Sequence, residues 1–238
     1  MLKLSTILVK GDVLWYTSHM ENKKQQILTY SDREKQKIKK HIRKKFGRIL
    51  GIMKEIVSSD ICTDIYVVAP TNERKYFLYV TSGMGAYKMN VDGALWPVAD
   101  RTELVMSIPL SWDMNSEHNS FVWPARFMKK AARFPVVTGA YLAPRHTITN
   151  GGKPFDSSTE MNSVLISSPL MLDKKSATCN LGRGKKVQFL QMIPIYKEEL
   201  TAIKKKGAGD FLVRMGPELL KPLNPIRENL YKKSRSSI

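Results

Sequence analysis

Apolar positions Ile38, Ile42 and Phe46 recur every four residues, so the segment after Ser31 is expected as a helix with one buried stripe. Ser31-Asp32-Arg33-Glu34 has capping-box spacing: the Ser31 hydroxyl can accept from an early backbone N–H while Glu34 reaches back. Gly47 follows as the C-cap. Between Arg48 and Val57 the apolar residues Leu50, Ile52, Met53, Ile56 and Val57 fit neither period, which leaves a short helix or a strand open. Residues 2–9 are expected as a strand. Strands are also expected at 62–69 and 76–81, where Tyr66, Val67, Val68, Tyr79 and Val80 favour extended backbone, and from Glu103 to Ile108, ended by Pro109. Pro124 belongs in the first turn of a helix whose stripe is Phe127, Met128, Ala131, Ala132 and Phe134, with Pro135 as its stop.

Beyond that helix the pattern shortens. Residues 139–160 carry Pro144, Gly151, Gly152 and Pro154 and read as strand fragments and loops, and Val164 to Ile166 as a short strand. Val187 to Ile195 is apolar on both parities, the pattern of a strand covered on both faces. Glu198 and Glu199 open the next helix and Lys204 to Lys206 close it, which suits the helix dipole; Tyr196, Leu200 and Ile203 mark its buried side. Gly207-Ala208-Gly209 breaks it, and Phe211, Leu212 and Met215 begin another short helix. Pro217, Pro222 and Pro225 then predict an irregular tail, with Tyr231 to Ser237 disordered.

Composition narrows the function classes. At 238 residues and 42% apolar, the chain can bury a large single core. No run approaches the roughly 18 apolar residues of a membrane span, so no membrane insertion is expected. Met1 to Val9 is too short for a secretory signal. Cys62 and Cys179 have no metal-clip spacing and read as reduced, inert thiols, so a cytoplasmic address is expected. The formal charge of +18 is concentrated at the ends: +8 over residues 1–60, −3 over 61–120, +5 over 121–180 and +8 over 181–238. Such a field suits nucleic acid, an anionic membrane or an acidic protein. The basic helix face at Lys35, Lys37, Lys39, Lys40, Arg43, Lys44 and Lys45 is either solvated or anion-binding.

Candidate chemistry is sparse. His146, with Asp156 and Glu160 downstream, is a foothold for an acid–base pair. Yet His19, His41 and His118 lack paired spacing, so the expected role of His146 is to tie down the Asn150-Gly151 loop by hydrogen bonds. Gly83-Met84-Gly85 is neither a P-loop nor a dinucleotide fingerprint; Gly83 and Gly85 are expected to relieve crowding where a strand leaves the sheet, with Met84 packed inward. Gly182-Arg183-Gly184-Lys185-Lys186 is either a phosphate contact or a hairpin turn. No nucleophile elbow or cysteine–histidine motif is present. No catalytic residue, cofactor, metal or small-molecule substrate is implied. Trp112, Trp123 and Tyr141, with Trp96, are the candidates for a partner-binding groove, each weighed against core packing.

One ordered set of motifs remains. Asp64 to Thr71, Tyr76 to Gly85, Met89-Asn90-Val91 and Glu103 to Pro109 resemble the "DIYVIPPT…YYTLVTxGMGxxxMxV…ELxxxLPxxW" series of the suppressor of fused-like domain family. Trp112, Trp123-Pro124 and Ala132-Arg133-Phe134-Pro135 are similar to its "W…WPxRxxxxxARxP" region, His146 to Gly151 to its "HTxxNG" turn, and Pro194 to Leu200 to its "PLYKEE" segment. The likeness spans about residues 30–215, with departures at Ala140, Tyr141 and Ala208-Gly209. It implies an α/β (α+β mixed) fold, a central mixed β-sheet flanked by helices. It also implies three segments: an N-terminal extension at 1–29, the domain at 30–216 and an irregular basic tail at 217–238. The animal representative restrains a transcription factor by strand addition, and small bacterial members resemble immunity proteins. The resemblance therefore implies a non-enzymatic binding domain whose partner is another protein, a toxin in the most concrete version. Nucleic-acid binding is the alternative, and an enzyme centred on His146 the remoter one.

Overall fold

The computed structural model describes residues 6–7, 27–92, 94, 98–170 and 175–232. Strand β1 is Thr6–Ile7; the rest of the strand expected at 2–9 lies outside the described residues. Helix α1 (Asp32–Lys45) starts at the expected capping box: the Ser31 Oγ accepts the Glu34 N–H at 3.4 Å and a Glu34 carboxylate oxygen accepts the Ser31 N–H at 3.0 Å. Burial pushes the Glu34 pKa up, but Lys185 at 2.7 Å and the Ser31 bonds outweigh it and hold it at about 2. Ile38 and Ile42 are buried, and Lys37 leaves the basic face to donate to the Leu181 carbonyl at 2.6 Å.

The undecided segment after α1 is a strand, β2 (Ile49–Met53), followed by β3 (Asp64–Val68), β4 (Phe77–Ser82) and β5 (Thr102–Ile108). Together they form an antiparallel meander. After helix α2 (Asn119–Thr138) come β6 (Thr147–Thr149), β7 (Ser163–Ser167), β8 (Thr178–Gly182) and β9 (Lys185–Ile195). The nine described strands make one mixed sheet in the order β1-β6-β7-β9-β5-β4-β3-β2, with β8 also paired to β9. Gly182-Arg183-Gly184 is the turn of the β8–β9 hairpin, all three at positive φ. β9 joins the halves, running parallel to β5 and antiparallel to β7, and both of its faces are covered from Phe189 onward.

Strand alternation sorts the core into two layers. Ile65, Val67, Tyr79, Leu104 and Met106 pack on one face beneath α2. Tyr66, Val68, Leu78, Val80 and Val105 pack on the other with Ile38, Ile42 and Phe46 of α1. Two expectations about α2 are corrected. Pro124 lies in the helix interior, because His118 caps the helix one turn earlier than expected, and Pro135 does not stop the helix, which continues to Thr138. Each proline removes one ladder N–H, but both are buried in the stripe that packs on the sheet, and the stop falls at Gly139 (φ 71), whose N–H returns to the Pro135 carbonyl at 2.9 Å.

Helices α3 (Lys197–Lys206) and α4 (Ala208–Met215), separated at Gly207, bury Leu200, Ile203, Phe211 and Met215 against Leu165, Ile193 and Ile195. A short 3-10 helix, Gly216–Leu220, leads into an irregular segment that is tied down along its length. Arg227 pairs with the wholly buried Glu199 at 2.5 and 2.6 Å, and the Tyr196 hydroxyl donates to the Arg227 carbonyl at 2.5 Å. Tyr231, expected in a disordered end, donates to Asp210 at 3.1 Å; residues 233–238 lie outside the described residues. Arg227→Met is expected to lower stability by about 3 kcal/mol, because Glu199 would stay buried without its cation. Urea melts of the two proteins check this.

Candidate functional site

The two glycines around Met84 are part of a carboxylate cradle. Glu103 on β5 is fully buried, and one of its oxygens accepts the Gly83 N–H at 2.8 Å, the Gly85 N–H at 3.1 Å and the Tyr30 hydroxyl at 2.7 Å. Its other oxygen lies 2.6 Å from the Thr81 hydroxyl. Burial raises the Glu103 pKa above the usual carboxylate range even though all four groups pull the other way. Gly83 has φ 140, and a Cβ there would stand 2.0 Å from the Cys62 carbonyl oxygen; a Cβ at Gly85 would stand 2.2 Å from the Tyr30 hydroxyl. Sequence reasoning passed over Glu103. The signal was a lone acid at the head of the apolar run Leu104-Val105-Met106, within a strand buried along its whole length, where an unpaired charge is not tolerated. The cradle is closed to solvent and its geometry serves the fold.

His146 does not tie down the Asn150-Gly151 loop. Its ring packs on Tyr141, centroids 5.2 Å apart, and hydrogen-bonds to the Tyr141 backbone, while Nδ1 is buried with no partner. Burial lowers its pKa, which favours neutral imidazole. The loop is held instead by its own groups: the Asn150 amide donates to the Lys153 and Pro154 carbonyls, and the Gly151 N–H donates to the Thr149 hydroxyl at 3.0 Å. Asp156 and Glu160 form no contact with His146. The thiols are equally unpromising as nucleophiles, since burial raises Cys62 and brings Cys179 to about 11. Among the described residues no three His, Cys, Asp or Glu side chains are placed to hold a metal, and no helix is long and apolar enough to cross a membrane.

The aromatic candidates do not share a groove. Trp112 is buried, stands edge-on to Phe121 and donates to the Phe121 carbonyl at 2.9 Å. Trp123 is buried and stacked flat on Phe155, centroids 4.8 Å apart. Tyr141 faces His146, and Trp96 lies outside the described residues. All three described rings belong to the core layer beneath α2, because apolar area of this size is worth more buried than exposed. Trp123 reaches the edge of a surface hollow, a pocket of about 240 Å³ rimmed by Arg126, Lys130 and Asp156. A roomier hollow, about 780 Å³, lies beside the C-terminal segment and is lined by Asp156 to Glu160, Tyr196 and Arg227, polar groups largely engaged with one another.

The exposed apolar surface is elsewhere. Of the twelve exposed large hydrophobic side chains among the described residues, four lie on β2 and the segment that follows it: Leu50, Ile52, Ile56 and Val57. Ile56 and Val57 are 94% and 84% exposed. β2 is the last strand of the sheet and pairs only with β3 among the described residues, so its outer backbone groups have no strand partner there. A bulge between Ile49 and Gly51 shifts its register, which puts Ile49 on the α1 side and Met53 on the α2 side. The connection to β3 is anchored from α2: Arg133 pairs with Glu55 at 2.9 Å and Asp60 at 3.0 Å and donates to the Ser58 hydroxyl at 3.1 Å. Ile56 and Val57 thus project from a fastened segment. These are the residues whose spacing fitted no buried face, which is the sequence signal of their exposure.

Comparison with known proteins agrees with this architecture. The sequence pattern of the Suppressor of fused protein (SUFU) family matches residues 59–222. A suppressor of fused homologue from Neisseria gonorrhoeae has a similar structure, with a TM-score of 0.63 at 15% identity over 84% of this chain and 98% of that one. The structure of a Sufu–Fu complex aligns with a TM-score of 0.59 at 13% identity, over 87% of this chain and 94% of that one. No curated protein matches the chain by sequence.

Proposed function

The chain belongs to the suppressor of fused family, and from that premise we propose that it is a non-enzymatic protein-binding domain whose docking strand is β2. The observation that carries the reading is the open, apolar edge of β2, continued by Ile56 and Val57. Exposed apolar edges of this kind are otherwise a liability that proteins cover or charge, and a partner strand satisfies both the backbone groups and the side chains. Support also comes from the relative of the same fold whose structure is a complex with Fu. The candidate chemical groups support a non-catalytic role: Glu103 is sealed, His146 has no carboxylate beside it, and both thiols are raised. The most concrete version is a cytoplasmic immunity protein that occludes a toxin.

Growth of cells producing a toxin encoded beside this chain tests it. Wild-type protein should restore growth. Ile52→Lys should weaken the complex by about 2 kcal/mol, roughly thirtyfold, with little loss of stability because Ile52 is exposed. Equal protection by Ile52→Lys and wild type would remove β2 from the interface. The second reading, nucleic-acid binding, rests on the exposed cations of α1, and it would require oligonucleotide affinity that survives 150 mM salt rather than collapsing with it.

A further inference from the structure

We infer that the β2 edge selects an extended apolar strand bracketed by carboxylates, and that the same charges keep two copies of this chain from pairing through it. The inference rests on β2 being the docking strand and adds what that strand accepts. Arg48 immediately precedes β2 and Lys54 immediately follows it; both are exposed, and neither forms an ion pair among the described residues. Along an extended chain they stand about 20 Å apart, with five uncharged residues between them. More cations adjoin each end. Lys44 and Lys45 occupy the last turn of α1, three residues before β2, and the Lys129 ammonium donates to the Lys54 carbonyl at 3.2 Å.

The nearby carboxylates pair with neither Arg48 nor Lys54 among the described residues, so both ammonium and guanidinium groups stay available to a ligand. Glu55 and Asp60 are both taken by Arg133, and Asp64 accepts the Glu55 N–H at 2.9 Å. Glu73 lines the same hollow as Lys44 and Lys45 and is the one acid among the residues lining that hollow. A strand laid along β2 therefore meets an apolar centre and one unpaired, exposed cation at each end. Carboxylates at its first and last positions, about seven residues end to end, meet both.

The same arrangement opposes self-association. Two copies paired edge to edge by a two-fold axis must run antiparallel, and centring the pair on Gly51 sets Arg48 of each copy opposite Lys54 of the other. Like charges directly opposite are destabilising. The device leaves the edge apolar enough for a foreign strand while denying it to an identical one.

Three fluorescent seven-residue peptides test the inference, each alternating valine and threonine between two glutamates, two glutamines or two lysines. Anisotropy titrations at 50 and 150 mM salt should show the glutamate peptide binding wild type about tenfold or more tighter than the lysine peptide, with the gap narrowing as salt rises. The double variant Arg48→Glu with Lys54→Glu, verified as folded by urea melt, should invert that order, and wild type should sediment as a monomer in low salt. Equal binding of all three peptides, each lost in Ile52→Lys, would overturn the charge rule while leaving β2 as the docking strand. A low-salt dimer abolished by Ile52→Lys would also overturn it. No binding by any peptide would overturn both the charge rule and the placement of the docking strand.

Discussion

Glu103→Leu is expected to lower stability by about 5 kcal/mol, the largest loss expected at any single position in this chain. The substitution is apolar and similar in size, so packing changes little. What changes is the fate of the Gly83 and Gly85 N–H groups and the Tyr30 and Thr81 hydroxyls, which all converge on one carboxyl. Each buried donor left without an acceptor costs about 1–3 kcal/mol, and of the four only Thr81 has an alternative, the Leu104 carbonyl at 3.4 Å. Glu103→Gln keeps an acceptor oxygen for the glycines and Tyr30 and a donor for Thr81, so it should stay within about 1 kcal/mol of wild type at pH 5.

The pair of variants also exposes the protonation of this site. Burial raises the Glu103 pKa in the folded state, whereas the unfolded chain releases that proton near the ordinary glutamate value of 4.5. The folded state therefore holds the proton over a range where the unfolded state has lost it. The stability owed to this group is full below about pH 4.5 and is lost as pH rises through the elevated folded value. Glutamine has no proton to lose, so Glu103→Gln should gain on wild type as pH rises from 5 to 8. Urea midpoints of both proteins across that range measure it, and parallel profiles would show that Glu103 does not titrate differently on folding.

Gly83→Ala is expected to cost about 4 kcal/mol. Two separate penalties add: a backbone at φ 140, which side-chain-bearing residues avoid, and a methyl 2.0 Å from a backbone oxygen that β3 and its lead-in hold in place. The oxygen belongs to Cys62, whose own N–H bonds to the Leu28 carbonyl at 2.9 Å, so neither strand segment is free to retreat. Gly209→Ala is the control. Gly209 sits in α4 with nothing within 4 Å of the place a Cβ would take, so alanine should be neutral or stabilise by about 0.5 kcal/mol. Thermal melts of the two variants separate a glycine demanded by geometry from one that is not.

Much of the architecture was legible because local pattern and tertiary packing agree. The Ser31 capping box, the β-branched runs of β3 and β4, and the doubly covered β9 each appear where their patterns predict. α2 departs from expectation because burial of its stripe outweighs the loss of two ladder bonds at Pro124 and Pro135. The candidate surface was harder to read. Tryptophans are equally at home in cores and in interfaces, and Trp112 and Trp123 are core. Glu103 and Gly83 lie 20 residues apart, and only the β4–β5 pairing brings them together. β2 was visible only as a segment that fitted no period, and its place at the sheet edge depends on the order of all the other strands.

Amide hydrogen exchange with and without saturating glutamate-ended peptide tests the docking strand most directly. Binding at the β2 edge should slow exchange at the amides of Ile49 to Met53 that point away from β3, by about tenfold or more, while amides within the interior strands β5 and β9 keep their rates. Protection confined to the pocket beside Trp123 and Phe155, with β2 unchanged, would contradict the account.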